Sequence, residues 1–162
     1  MRIAIMGSGG VGGYFGARLA AAGRDVHFVA RGAHLEAMRE RGLRLISPNG
    51  DLHLADVRAT DDPGSIGPVD IVIFTVKLYD METAAEAIRP LFGADTAVIP
   101  FLNGVDAVEA LGRAVGPAHV MGGVTYIFSV IDEPGVIRQT GEMARLVFGE
   151  LDGGASRRAQ SF

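Results

Sequence analysis

The chain has 162 residues, no cysteine and a formal net charge of −4. It is long enough to bury a core without covalent staples, and the lack of cysteine excludes disulfides, thiolate metal sites and a cysteine nucleophile. The acidic balance excludes the basic footprint that neutralises nucleic-acid phosphates, so no nucleic-acid partner is expected.

Arg2–Met6 (RIAIM) is a short apolar run closed by glycine, which predicts a strand. No charged segment leads into an apolar one ahead of it, so no signal peptide is read and a cytoplasmic protein is expected. Gly7 to Gly16 then holds six of the chain's 23 glycines. Glycine weakens regular structure, so this concentration needs a reason. Gly7, Gly9 and Gly12 fit G-x-G-x-x-G, and Val11, Phe15 and Leu19 behind them carry helical spacing. Between a strand and a helix, the first glycine makes a tight turn and the second lets a pyrophosphate approach the backbone. The third lets helix and strand pack closely. The helix start offers free N–H groups to the anion. Gly13, Gly16, Ala17 and Ala20 continue the small surface, and Gly23 ends the helix.

Asp25–Ala30 (DVHFVA) is the second strand. In an NAD site this strand usually ends in an acid that accepts from the ribose hydroxyls. Here it ends in Ala30-Arg31, about 20 residues past the glycines, where that acid would stand. A guanidinium there suits a 2′-phosphate, which favours NADP(H) over NAD(H).

A short helix over His34–Arg41 runs to Gly42. Two alternating runs, Leu43–Ile46 and Asp51–Leu54, flank Pro48-Asn49-Gly50 and predict an inserted hairpin. Val57–Thr60 is expected as the next core strand. The unalternating run VDIVIFTVK, Val69 to Lys77, reads as a strand buried on both faces of a parallel sheet. A helix over Met81–Leu91, a buried strand in TAVIPFLNG and a helix in VDAVEALGRAV follow. Lys77 and Asn103 come directly after the two buried strands, at the carboxyl edge where such sheets bind ligands. Lys77 suits a cofactor phosphate or ribose, or a substrate carboxylate, and Asn103 the nicotinamide ribose or the substrate.

Ala114 to Ile131 carries no formal charge over 18 residues, the lower limit for a membrane span. Its glycines, Pro117 and β-branched centre read instead as a buried strand, so no membrane contact is expected. Three strands, in HVMGGVTYIFSVI, GVIRQT and ARLVFGEL, predict an antiparallel extension of the parallel sheet after residue 116. A domain over 1–152 is followed by a Gly153-Gly154 joint and by Ser156, an N-cap for a helix that starts and is not completed. An apolar face left uncovered by that cut predicts self-association, as a homodimer, through the antiparallel strands after Gly116 or through the tail. Asp61-Asp62-Pro63 and Asp132-Glu133-Pro134 read as turns, and the four scattered histidines lack metal-ligand spacing.

The fold class is thus α/β, a Rossmann-type, doubly wound, mainly parallel sheet. MRIAIMGSGGVGGYFGARLA, ARGAHLEAMRERGL, TVKLYD and PFLNGVD, in this order, resemble the ketopantoate reductase (2-dehydropantoate 2-reductase) family from Met1 to about Leu151. The resemblance implies NADPH-dependent reduction of 2-dehydropantoate to (R)-pantoate, a step towards pantothenate and coenzyme A. It also implies that Gly7, Ser8, Gly9, Gly10, Val11 and Gly12 bind the cofactor's pyrophosphate region and Arg31 its 2′-phosphate. Lys77 and Asn103 would contact cofactor and substrate. Three places after the lysine this chain has Asp80, where the family often has glutamine. The family's general-acid lysine lies in a helical second domain, which the resemblance leaves absent here: residues 153–162 would be the linker and the cut first helix, and no catalytic residue is assigned to this chain. A reductase of another 2-keto acid, or a nucleotide-binding module without catalysis, remain the alternative readings.

Overall fold

The structure is a computed structural model and describes residues 1–104 and 106–162. Val105, first residue of the helix predicted in VDAVEALGRAV, lies outside the described residues. In chain order the elements are β1 (Arg2–Met6), α1 (Gly10–Ala21), β2 (Asp25–Val29), α2 (Gly32–Arg41), β3 (Leu43–Ile46), β4 (Leu52–Leu54), β5 (Arg58–Thr60), β6 (Ile71–Phe74), α3 (Met81–Ala87), β7 (Ala97–Pro100), α4 (Ala107–Val115), β8 (Gly122–Glu133), β9 (Val136–Gly149) and α5 (Arg157–Ser161).

The first sheet has the order β5-β2-β1-β6-β7, all parallel. It is buried on both faces, which explains its continuous apolar strands. Ile3, Ile5, Phe28, Ile71, Ile73 and Ile99 point into one core with α1 and α2. Their sequence neighbours Ala4, Met6, Val29, Val72, Phe74 and Val98 point into a second core with α3 and α4. Alternation within each strand is therefore apolar to apolar. This is the Rossmann-type architecture expected. β5 is its edge strand, reduced to Arg58–Thr60, rather than a strand of the centre.

Local rules account for most helix ends. Gly23 at φ 80° ends α1: its amide donates to Ala20 O (2.9 Å) and that of Arg24 to Leu19 O (3.1 Å), which satisfies two of the last carbonyls. Gly42 does the same work after α2 at φ 78°. The predicted Met81–Leu91 helix is interrupted at Ile88, and a short 3₁₀ turn, Arg89–Leu91, continues it. Pro90 has no amide to donate to an α-helical ladder.

The tail differs from expectation in two ways. GVIRQT and ARLVFGEL are parts of one strand, β9, so the antiparallel unit is a two-stranded hairpin turning at Pro134-Gly135. Ala144 pairs with Ile127 and Gln139 with Ser129, so Thr140–Met143 bulges out opposite Phe128 alone. The hairpin also does not extend the first sheet edge to edge. It forms a second sheet, β4-β3-β9-β8, in which β9 runs parallel to β3. The parallel bridge Val98–Val120 links β7 to the chain just ahead of β8.

Hydrogen bonds at and beside the Pro48-Asn49-Gly50 turn fasten this second sheet. Ser47 Oγ donates to Gln139 Oε1 (2.6 Å), Asn49 Nδ2 to Glu142 O (2.9 Å) and Arg18 Nη2 to Gly50 O (2.6 Å). One face of the sheet covers α1. The other leaves Val124, Tyr126 and Phe128 exposed, so β8 is not the buried strand predicted from its composition. Among the described residues, no helix is long and apolar enough to cross a membrane.

Candidate functional site

In the first sheet Met6 is level with Val29 and Phe74, and Phe74 with Pro100. The chain leaves all four strands at one carboxyl edge. Gly7 to Gly12 follow β1, Arg31 follows β2, Lys77 follows β6 and Asn103 follows β7. Topology thus brings every predicted site residue to a single rim, and Lys77 and Asn103 are exposed on it.

The glycine loop is held from below. The amides of Gly7 (3.3 Å) and Ser8 (3.0 Å) both donate to Val29 O, and so does the buried Ser8 hydroxyl (3.0 Å). Thr75 Oγ1 donates to Gly7 O (2.8 Å), and its amide to Met6 O (2.9 Å). Gly7 stands at φ 95°, a conformation that only glycine adopts without strain. The first bond of α1 runs from Gly13 N to Gly9 O (2.7 Å), and no side chain caps the helix. The first-turn amides of Gly10, Val11 and Gly12 therefore have no acceptor within the helix.

The glycines differ in what surrounds them. A Cβ on Gly12 would strike Gly7 O and the side chains of Thr75 and Ile5, and one on Gly16 would meet Phe28 Cε1 at 2.5 Å. These two serve close packing of helix on sheet, as their spacing predicts. Gly13 would meet Ile137 Cγ1 at 2.7 Å, and Gly10 would overlap the carbonyl of Ser129. Gly10 and Gly13 thus make room for the second sheet, a demand arising far along the chain. Gly9 alone in the loop has nothing within 4 Å among the described residues. An approaching anion has that opening, free helix amides and the partial positive charge of a helix start, which together suit a phosphate. Beside the loop, Ser129 Oγ is buried without a partner among the described residues.

Three contributors lie outside the residues to which the sequence assigned a site role. Thr75 is one. His34 is another: its Nδ1 accepts from the Gly135 amide (3.0 Å), so its Nε2 carries the hydrogen and donates to Ser8 O (2.9 Å). Burial holds this imidazole below the ordinary histidine value, and the bond to Ser8 only partly offsets that. The third is Asp80, whose Oδ2 accepts from Arg31 Nη2 at 2.7 Å.

Residues 3–153 match the family model described as ketopantoate reductase PanE/ApbA. A 2-dehydropantoate 2-reductase from Mesorhizobium japonicum is 38% identical, over 98% of this chain and 54% of its own length. The crystal structure of a 2-dehydropantoate 2-reductase from Geobacter metallireducens GS-15 superposes with a TM-score of 0.92 at 36% identity, over 99% of this chain and 53% of that one. A D-mandelate dehydrogenase solved with NADH and anilino(oxo)acetate shares the fold, with a TM-score of 0.86 at 22% identity, over 99% and 51% of the two chains. The chain spans about half the length of the relatives it matches. On the strength of these matches, and of a glycine loop, rim and sheet order that agree with them, the chain belongs to the ketopantoate reductase family.

Proposed function

We propose that this chain is the cofactor-binding half of a cytoplasmic, NADPH-dependent 2-dehydropantoate 2-reductase, which makes (R)-pantoate for pantothenate and coenzyme A. The observation that carries the reading is the open side of Gly9, set against uncapped helix amides on the rim that also bears Arg31. The amides of the Gly7–Gly12 loop, with Ser8 fixing its shape, would hold the pyrophosphate. Arg31 would take the 2′-phosphate, and Lys77 and Asn103 the nicotinamide side and the substrate carboxylate. When bound, the reduced nicotinamide supplies hydride to the ketone carbon.

The developing alkoxide needs a proton from a positioned donor. Lys77 is the sole lysine of the chain, and in this reading it belongs to the cofactor. The proton donor is assigned to a helical domain following the Gly153-Gly154 joint, with residues 153–162 as linker and first helix. The fold is shared with a dehydrogenase of a different 2-hydroxy acid, so substrate choice rests on the family match and not on architecture.

Titration with NADPH, and an assay with 2-dehydropantoate, on this chain and on a version extended through the second domain test the proposal. Binding by both with turnover by the longer protein alone is expected. No binding by either removes the cofactor site, and full turnover by the short chain removes the division of labour.

A further inference from the structure

Arg31 carries the coenzyme argument because no acid ends β2. The structure supplies an acid from elsewhere. Arg31 Nη2 donates to Asp80 Oδ2 at 2.7 Å, across 49 residues of sequence. Arg31 follows β2 and Asp80 precedes α3 beyond β6, and these two strands flank β1 and its glycine loop. The guanidinium is 74% exposed and the carboxylate 27%. Asp80 occupies the cap position of α3, yet its side chain makes no capping bond. Exposed ion pairs contribute little to stability. A helix start favours an acid in general, but neither the helix nor the fold accounts for its pairing with Arg31.

We infer that Asp80 sets coenzyme selectivity: it occupies Arg31 in competition with a 2′-phosphate and offers an acceptor to a 2′-hydroxyl, so that the chain takes NADH as well as NADPH. The inference rests on the dinucleotide site proposed above. A 2′-phosphate near neutral pH carries a charge of about −1.5 to −2 and must share the guanidinium with a fixed carboxylate while approaching that carboxylate's own charge. A ribose 2′-hydroxyl is neutral and can donate to the carboxylate, the role an acid at the end of the second strand fills in NAD sites. One side chain thus penalises the phosphorylated coenzyme and rewards the plain one.

The test is the ratio of NADPH to NADH affinity, by calorimetric titration of wild type, Asp80→Asn, Asp80→Glu and Arg31→Ala. Asp80→Asn frees Arg31 and removes the repulsion, and is expected to shift the ratio towards NADPH by about tenfold. Asp80→Glu keeps a wild-type ratio, and Arg31→Ala shifts it towards NADH. Each ratio is taken on one protein, so partial loss of fold acts on both coenzymes and cancels. An unchanged ratio in Asp80→Asn, with both coenzymes still bound, overturns the role of Asp80 and leaves the site standing. Failure of wild type to bind either coenzyme overturns the site, and the inference with it.

Discussion

A single methyl group separates the glycines of the first loop into two kinds. Gly9 has an ordinary extended backbone (φ −75°, ψ −155°) and open space where a Cβ would stand. Gly9→Ala is expected to change stability by no more than about 1 kcal/mol but to weaken NADPH binding more than tenfold (about 1.4 kcal/mol), since the methyl occupies the approach to the loop. Gly12→Ala drives a Cβ into the Gly7 carbonyl, Thr75 and Ile5. Overpacking of this kind costs about 1–3 kcal/mol, read as a lower melting temperature without ligand. Melting curves and titrations of the two variants decide the matter: the opposite ranking would mean that the open side of Gly9 faces no ligand. The G-x-G-x-x-G spacing made Gly7, Gly9 and Gly12 legible in sequence because the motif is local. Gly10 was legible only as part of the loop; its contact with Ser129 depends on a strand that arrives much later.

At the level of elements, His34 ties α2 to both the glycine loop and the turn between β8 and β9. Its Nδ1 must stay unprotonated to accept from Gly135. Burial depresses its pKa below the ordinary 6.5, so the unprotonated ring is the form the fold prefers. The stabilisation is fully present above the unfolded value and is lost as pH falls through the lower folded value. Acidification below 6.5 is expected to lower the hydrogen-exchange protection of the Gly135 amide about fivefold, the loss of one hydrogen bond of about 1 kcal/mol. His34→Ala should abolish that pH dependence. His27 is depressed too, by burial and by Arg2, so the readout is local protection at Gly135, not global stability. Protection that is flat with pH in wild type would refute the latch. No pattern in GAHLEAMRER announces this role, because a histidine on a short helix looks alike whether its ring faces solvent or two backbone groups.

For the whole molecule, the outer face of the second sheet is the exceptional surface. Phe128 is 76% exposed and Met143 63%, with Val124, Tyr126 and Val130 near half. A long apolar edge hairpin invites pairing. The chain alone is expected to self-associate at high micromolar concentration in light scattering. Phe128→Ser with Met143→Ser should return it towards monomer at an unchanged melting temperature, since neither side chain is buried. A monodisperse wild-type monomer under those conditions would show that the face does not drive association.

What the sequence by itself determined is the parallel sheet, its apolar strands, the glycine loop, the Asn49-Gly50 hairpin and the Ser156 cap, whose hydroxyl accepts from Ala159 N at 3.1 Å. Each follows from side-chain period, turn chemistry or capping, interactions that reach a few residues along the chain. Tertiary structure alone decided that the tail hairpin pairs with β3 and not with the first sheet, that His34 reaches Gly135 across 101 residues, and that Asp80 meets Arg31. Which edge is left open, and which loops converge on one rim, are consequences of packing complete layers. No short window of residues carries that information.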